Sequence, residues 1–306
     1  MTVSKGVTCP SCEGQQVDFV GELYSSYQFA GQRLESFLPG GNLYHCTGCF
    51  LKFRFPVQTE GSYNRLYDNS ATTTWSSEIV RPDWTRIVNF IHTTFPDQGK
   101  ILDFGCYSGG MLTNLGKQYE KYGVEINKSA ADMAAQRNNA RIWQSLAEIP
   151  KEMRFDVVVA ADVVEHVSNP KVLVNNLLKL LEKDGVLIIT TGDSENYLWD
   201  FFGANWWYCF YLEHISFISK SWLEKFCGET TVIVNFEKFF YTHHTHKKLM
   251  LEWGLAILYG FAPNFYIWMV RLWKKMRRRP GEVGPRGVGI SADHIFVVLS
   301  NNGSYL

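Results

Sequence analysis

Four groups of residues in this chain combine types and spacings suited to chemistry. Cys9-Pro-Ser-Cys12 and Cys46-Thr-Gly-Cys49 form two C-x-x-C pairs with 33 residues between them. Four thiolates can close a tetrahedral shell around Zn²⁺, and a closed shell is structural because no position stays open for a substrate. Gly14 and Gly48 suit the tight turns of such knuckles. The second group is Lys100 to Gly110, where Ile101 and Leu102 run into Asp103, then Gly105, Gly109 and Gly110. Strand, glycine turn and helix make the ligand-binding corner of a doubly wound α/β fold. Glu125 closes a further apolar stretch about twenty residues on, the spacing at which an acid accepts hydrogen bonds from ribose hydroxyls. Asp162-Val-Val-Glu165-His166 and Tyr211-Leu-Glu213-His214 are the third and fourth groups. Both pair carboxylates with histidine, the side chain that titrates near neutral pH. His243, His244 and His246 also cluster, and read as solvated or substrate-facing.

The elements that must position these groups follow from periodicity. Short strands are predicted at 17–23 and 43–46, a segment with too few apolar residues to fold without metal. Residues 56–81 read as a linker or cover over the site, with Tyr63, Tyr67 and Trp75. From Pro82, apolar residues recur at helical spacing through Trp84, Ile87, Val88, Ile91 and Phe95. Strands are expected at 122–126 and 141–143, separated by a helix over 129–138. The run Phe155 to Ala160 is continuously apolar, as a parallel strand buried on both faces should be. A helix with Leu173, Leu177, Leu180 and Leu181 on one stripe leads to a fifth strand, 186–191. Strands near 231–241 and 294–299 complete a seven-stranded, mostly parallel sheet whose last strand is antiparallel.

The loop spacing Gly105-Cys-Tyr-Ser-Gly109 departs from a dinucleotide site. It resembles the first motif of class I S-adenosylmethionine-dependent methyltransferases, with Tyr107 where the middle glycine stands. The resemblance continues through GVEIN, FDVVVAADVVEHVSNP and LLEKDGVLIITTG, and covers 82–240. It implies a Rossmann-like methyltransferase domain with S-adenosylmethionine as cofactor. Asp103, Gly105, Gly109 and Glu125 would hold it. Ser145 would stand where an acid often binds the adenine amino group, Leu146 would cover the base, and Asp162 would lie near the methionine part. The D-V-V-E-H run also resembles the divalent-ion site of quinone-ring O-methyltransferases. Tyr211-Leu-Glu213-His214 before a Ser-capped helix resembles the active-site segment of zinc-containing sugar C-methyltransferases. That likeness implies His214 as proton acceptor, Glu213 as its positioning partner and Tyr211 on the acceptor hydroxyl, with a rate that rises through the ordinary histidine range. A structural packing role for His214 stays open beside it.

The 306 residues balance 30 Lys+Arg against 30 Asp+Glu, so nothing global points to nucleic acid. The start of the chain has no apolar run of a signal peptide, and paired cysteines suit metal in a reducing compartment, so the expected location is cytoplasmic. The expected organisation is a zinc-ribbon-like module over 1–55, the linker, the methyltransferase domain over 82–241 and 292–306, and a helical insertion over 242–291. Within the insertion, 249–279 has two readings. It is either a helical pair packed on the protein or a second copy, or a peripheral contact with the inner face of a membrane. The function expected is methyl transfer to a sugar or lipid-linked glycan intermediate, at oxygen rather than carbon. A metal-assisted quinone or phenol O-methyltransferase and a non-catalytic zinc and cofactor scaffold are the alternatives.

Overall fold

In the computed structural model, residues 6–30, 32–57, 66–67, 81–228, 231–241, 246–276 and 291–301 are described. Tyr63, Trp75, His243 and His244 lie outside them, as does the His246 side chain. The N-terminal part contains β1 (Val17–Glu22), β2 (Ser26–Phe29), β3 (Gln32–Leu38), β4 (Asn42–Cys46) and β5 (Lys52–Phe55). Strands β2 and β3 pair as a separate antiparallel hairpin.

The main sheet is built from β6 (Gly99–Phe104), β7 (Tyr119–Val124), β8 (Arg141–Trp143), β9 (Phe155–Ala161), β10 (Leu181–Gly192), β12 (Thr231–Phe239) and β13 (His294–Asn301). Its order is β12-β13-β10-β9-β6-β7-β8, with β13 antiparallel to both neighbours. The expected seven-stranded doubly wound architecture is therefore what the chain adopts. Valines and isoleucines of β9 and β10 are fully buried because helices cover both faces. The helices before β12 are α1 (Pro82–Thr94), α2 (Gly110–Thr113), α3 (Lys128–Asn138), α4 (Pro170–Leu178), α5 (Tyr197–Phe202) and α6 (Lys220–Phe226). Asn127, Asn169, Asn196 and Ser219 each accept a backbone N–H at the start of the helix that follows.

Two boundaries differ from the periodicity reading. Helix α4 stops at Leu178, and Leu181 opens β10, so Leu180 and Leu181 do not extend the helical stripe. Their spacing fits a helix, but Phe155 donates its backbone N–H to the Leu180 carbonyl, which draws this stretch into the sheet. Second, the N-terminal sheet has order β1-β4-β5-β11, and its fourth strand, β11 (Ser216–Phe217), lies far along the chain. Ser216 pairs with Phe53 and Phe217 with Lys52. The cysteine-bearing part and the segment after His214 thus share one sheet.

Between β12 and β13 the chain forms two successive helices, α7 (His246–Phe261) and α8 (Pro263–Met276), with Ala262 between them. Tyr259, Tyr266 and Ile267 bury against Phe210 and Tyr24. No described helix is long and apolar enough to cross a membrane.

Candidate active site

The first half of the site is the loop after β6. Gly105 and Gly109 have φ of 79° and 76°, and Tyr107, at 46°, is also left-handed. That costs a non-glycine residue roughly 1–2 kcal/mol. The conformation turns the Tyr107 N–H onto Glu125 Oε2 at 2.8 Å, and Asn127 N–H reaches Oε1 at 2.8 Å. Burial raises the Glu125 pKa against these two donors. Each carboxylate oxygen still has a second lone pair for a ribose hydroxyl. Asp103, at the end of β6, is buried, and burial pushes its carboxyl up to about 7 with Arg81 opposing. At the end of β8, Ser145 donates to Glu148 Oε1 at 3.4 Å, and Glu148 Oε2 accepts Gln144 N–H. A carboxylate is therefore present beside the expected adenine position, three residues after Ser145. Leu146 packs on the core edge.

Asp162 follows β9 with φ of 53°. Its Oδ2 accepts from Arg81 at 2.5 Å and from the Tyr241 hydroxyl at 3.0 Å. Arg81 also forks onto Asp83 and lies over the Trp84 ring. Asp162 Oδ1 is buried and has no hydrogen-bond partner among the described residues. A buried carboxylate oxygen in that condition is costly, and a ligand ammonium, such as that of a bound amino acid moiety, would satisfy it. Together with Glu125, this makes the corner chemically suited to S-adenosylmethionine.

The second half lies beyond β9 and β10. Glu165 is buried and accepts from the Tyr208 hydroxyl at 2.5 Å and from Thr191 Oγ1 at 2.9 Å. Burial, and then Asp162, push its carboxyl up to about 7. The Tyr208 hydroxyl also accepts the Gly192 N–H at 3.1 Å. Only glycine permits that approach, since a Cβ there would stand 2.5 Å from the Tyr208 ring.

His214 Nδ1 lies 2.9 Å from the Tyr208 carbonyl oxygen. A carbonyl only accepts, so Nδ1 carries the proton and Nε2 keeps its lone pair. Burial, and then His166, depress its pKa well below 6.5, so the neutral form is favoured. The rings of Tyr208, His166 and Tyr211 stand 4.2, 5.0 and 5.2 Å from the His214 ring. His166 Nδ1 pairs with the Tyr67 hydroxyl at 2.8 Å.

Glu213 was expected to position His214. Instead the Tyr208 carbonyl holds the His214 ring, and the Glu213 charge acts on His166, raising its pKa against the lowering by burial. What fixes the His214 loop is Arg54, on β5. It donates to the carbonyls of Cys209, Tyr211 and His214 at 2.8, 3.0 and 3.0 Å, and to that of Gly40. Sequence reading missed Arg54. Lys52, Phe53 and Arg54 are all buried, so this four-residue strand offered no alternation from which Arg54 could be read. Arg81, Tyr208, Tyr241 and His294 were also missed. His294 begins β13, hydrogen bonds Asp293 and stacks on Tyr241 at 4.3 Å.

Two groups of described residues have the geometry of metal ligands. The Cys9, Cys12, Cys46 and Cys49 sulfurs lie within 4.8 Å of one another, with Cys9–Cys49 and Cys12–Cys46 both at 3.5 Å. Zn–S bonds of about 2.3 Å in a tetrahedron need sulfurs roughly 3.8 Å apart, so the thiols fit zinc. The knuckle turns are made by Glu13 and Phe50, with φ of 60° and 65°, rather than by Gly14 and Gly48. Each donates its N–H back to the first cysteine of its pair. The second group is Glu165, His166 and His214, each with one ligand atom within 4.8 Å of the others.

The family described as "Methyltransferase domain" matches residues 77–230, half of the chain, and the chain belongs to that family. Its class is that of the S-adenosylmethionine-dependent methyltransferases. Among named relatives, the ubiquinone biosynthesis O-methyltransferase of Rickettsia bellii is 32% identical over 99 residues, 30% of this chain and 41% of that protein. The protein of the same name from Psychrobacter arcticus is 27% identical over 165 residues, 48% of this chain and 63% of its own length. The chain thus spans about half the length of the curated relatives it matches. The solved MccD protein is similar in fold, with a TM-score of 0.51 at 15% identity, over 73% of this chain and 99% of that one.

Proposed function

We propose that the protein methylates a hydroxyl oxygen on a ring-bearing, amphiphilic acceptor, with His214 as the proton acceptor. The observation that carries this is the His214–Tyr208 hydrogen bond, which leaves Nε2 as a neutral lone pair beside the carboxyl edge of β9. The acceptor O–H gives its proton to Nε2 as its oxygen bonds to the methyl carbon, and the C–S bond breaks. The sulfonium supplies the electrophilic methyl and leaves as a neutral thioether, so the protein's task is orientation and one proton transfer. Rings of Tyr208, Tyr211 and His166 around His214 suit the face of an aromatic or sugar ring. The names of the relatives favour a phenolic or quinol ring, and the four-cysteine part joined to this domain favours a sugar or lipid-linked glycan. His214→Ala is expected to cut turnover by roughly 10² to 10⁴ while S-adenosylhomocysteine affinity, read by calorimetry, stays unchanged. Incubation with polyprenyl phenols and with extracted glycan precursors in parallel reads the acceptor class. Retained turnover in His214→Ala refutes the assignment.

A second reading rests on the Glu165, His166 and His214 group. A carboxylate with two imidazoles suits a borderline transition metal better than Mg²⁺, and such an ion would lower the pKa of the acceptor hydroxyl. Loss of turnover on chelation with the metal content of the four-thiol cluster unchanged, restored by one divalent metal, selects this reading. The four thiols are assigned to structural zinc, which the metal content of purified protein tests.

A further inference from the structure

We propose that the outer face of the α7–α8 pair is a seat for an anionic membrane surface. Both helices carry apolar residues on two sides. The inner side buries Tyr259, Tyr266 and Ile267. The outer side leaves Met250, Phe261, Phe265, Trp268, Leu272 and Met276 between 44% and 74% exposed. On each helix these fall on one stripe, at 250, 257 and 261 on α7 and at 265, 268, 272 and 276 on α8. The stripe continues onto α5, where Phe201 is 66% exposed and its ring meets that of Phe261 at 5.8 Å. A contiguous apolar face with large aromatics marks an interaction surface.

Charge selects the occupant. Residues 246–276 contain one acid, Glu252, and it is buried. Lys275 and Arg271 are exposed, Lys274 is half-buried, and all three lie at the end of α8 beside Leu272 and Trp273. Apolar residues and tryptophan flanked by cations, without surface carboxylates, suit insertion into the headgroup boundary of anionic lipid. The 16 residues of α7 span about 24 Å, short of the roughly 30 Å hydrocarbon core. Pro263 opens a second helix, and no described helix is long and apolar enough to cross a membrane, so we place the pair in the interface rather than across it.

The inner side of the pair, opposite the seat, packs against the acceptor half of the site. Phe210 packs on Tyr259 at a ring distance of 6.1 Å, and Tyr211 joins the same cluster while its ring stands 5.2 Å from His214. The seat itself does not depend on the acceptor assigned above.

The test is sedimentation of the full chain with phosphatidylcholine vesicles and with vesicles carrying about a third phosphatidylglycerol. At roughly 1 kcal/mol per basic residue near the surface, Lys274→Glu/Lys275→Glu is expected to lower partition onto anionic vesicles about ten-fold or more. Phe265→Ser/Trp268→Ser is expected to lower it at any lipid charge. Both variants should keep S-adenosylhomocysteine affinity, which separates loss of the seat from loss of the fold or of the proposed reaction. Equal binding to neutral and anionic vesicles, or none to either, overturns the proposal. So does a dimer in ultracentrifugation that Phe265→Ser/Trp268→Ser dissociates, since a second copy would then cover the face.

Discussion

At the scale of single residues, the site depends on which lone pairs are left free. Glu125 accepts two backbone N–H groups and keeps two lone pairs, so Glu125→Ala removes the ribose acceptor and also releases the Tyr107 turn. Calorimetry should show a loss of S-adenosylhomocysteine affinity of about ten-fold or more. The expectation that the rate climbs through the ordinary histidine range is corrected by burial. His214 has a folded pKa well below 6.5, so its neutral form, and the stability that form contributes, is present above about 6.5 and lost only as pH falls through the depressed value. Glu165 has the opposite sign. Its carboxyl is raised to about 7, so the stability of its protonated form fades as pH rises through that value. Glu165 and Asp103, whose carboxyls are both raised to about 7, are the groups expected to give the wild-type rate an inflection near neutrality, and Glu165→Gln separates their shares. A pH profile of Glu165→Gln should show a smaller inflection there, while the acid limb stays.

At the scale of elements, what was legible depended on how many residues carried a pattern. The apolar run of β9 and the glycine loop after β6 announce themselves, and the Asp103, Gly105, Gly109 and Glu125 corner came with them. Strand β11 is two residues long and has no period to read, and its partner β5 looks like four residues of mixed character. Their pairing, and the reach of Arg54 into the His214 loop, exists only once distant segments meet. The consequence is testable. Arg54→Leu leaves several carbonyls without donors at about 1–3 kcal/mol each, so denaturant unfolding should show a loss of about 3 kcal/mol or more. Turnover should fall further than cofactor affinity, because the carbonyls that Arg54 holds belong to the acceptor half. Chelation of the four-thiol cluster should have the same selectivity. If the cluster holds zinc as proposed, metal binding and folding of that part are one equilibrium, and β5 pairs within its sheet. A chelated protein that keeps full turnover would separate the cluster from the catalytic loop.

At the scale of the whole molecule, the position of β13 governs how the sheet can be assembled. It lies between β10 and β12, pairing Gly192 with His294 on one side and Phe239 with His294 on the other. Among the described residues, strand β12 has no other neighbour in the sheet. On a ribosome adding about 5–20 residues per second, the stretch from 239 to 294 takes several seconds. During that interval β12 is an unpaired edge, and the apolar helical pair that follows it emerges before the sheet can close. The nascent chain therefore passes through a state with its most adhesive surfaces uncovered, and a nearby bilayer or a chaperone would find the helical pair before β13 does.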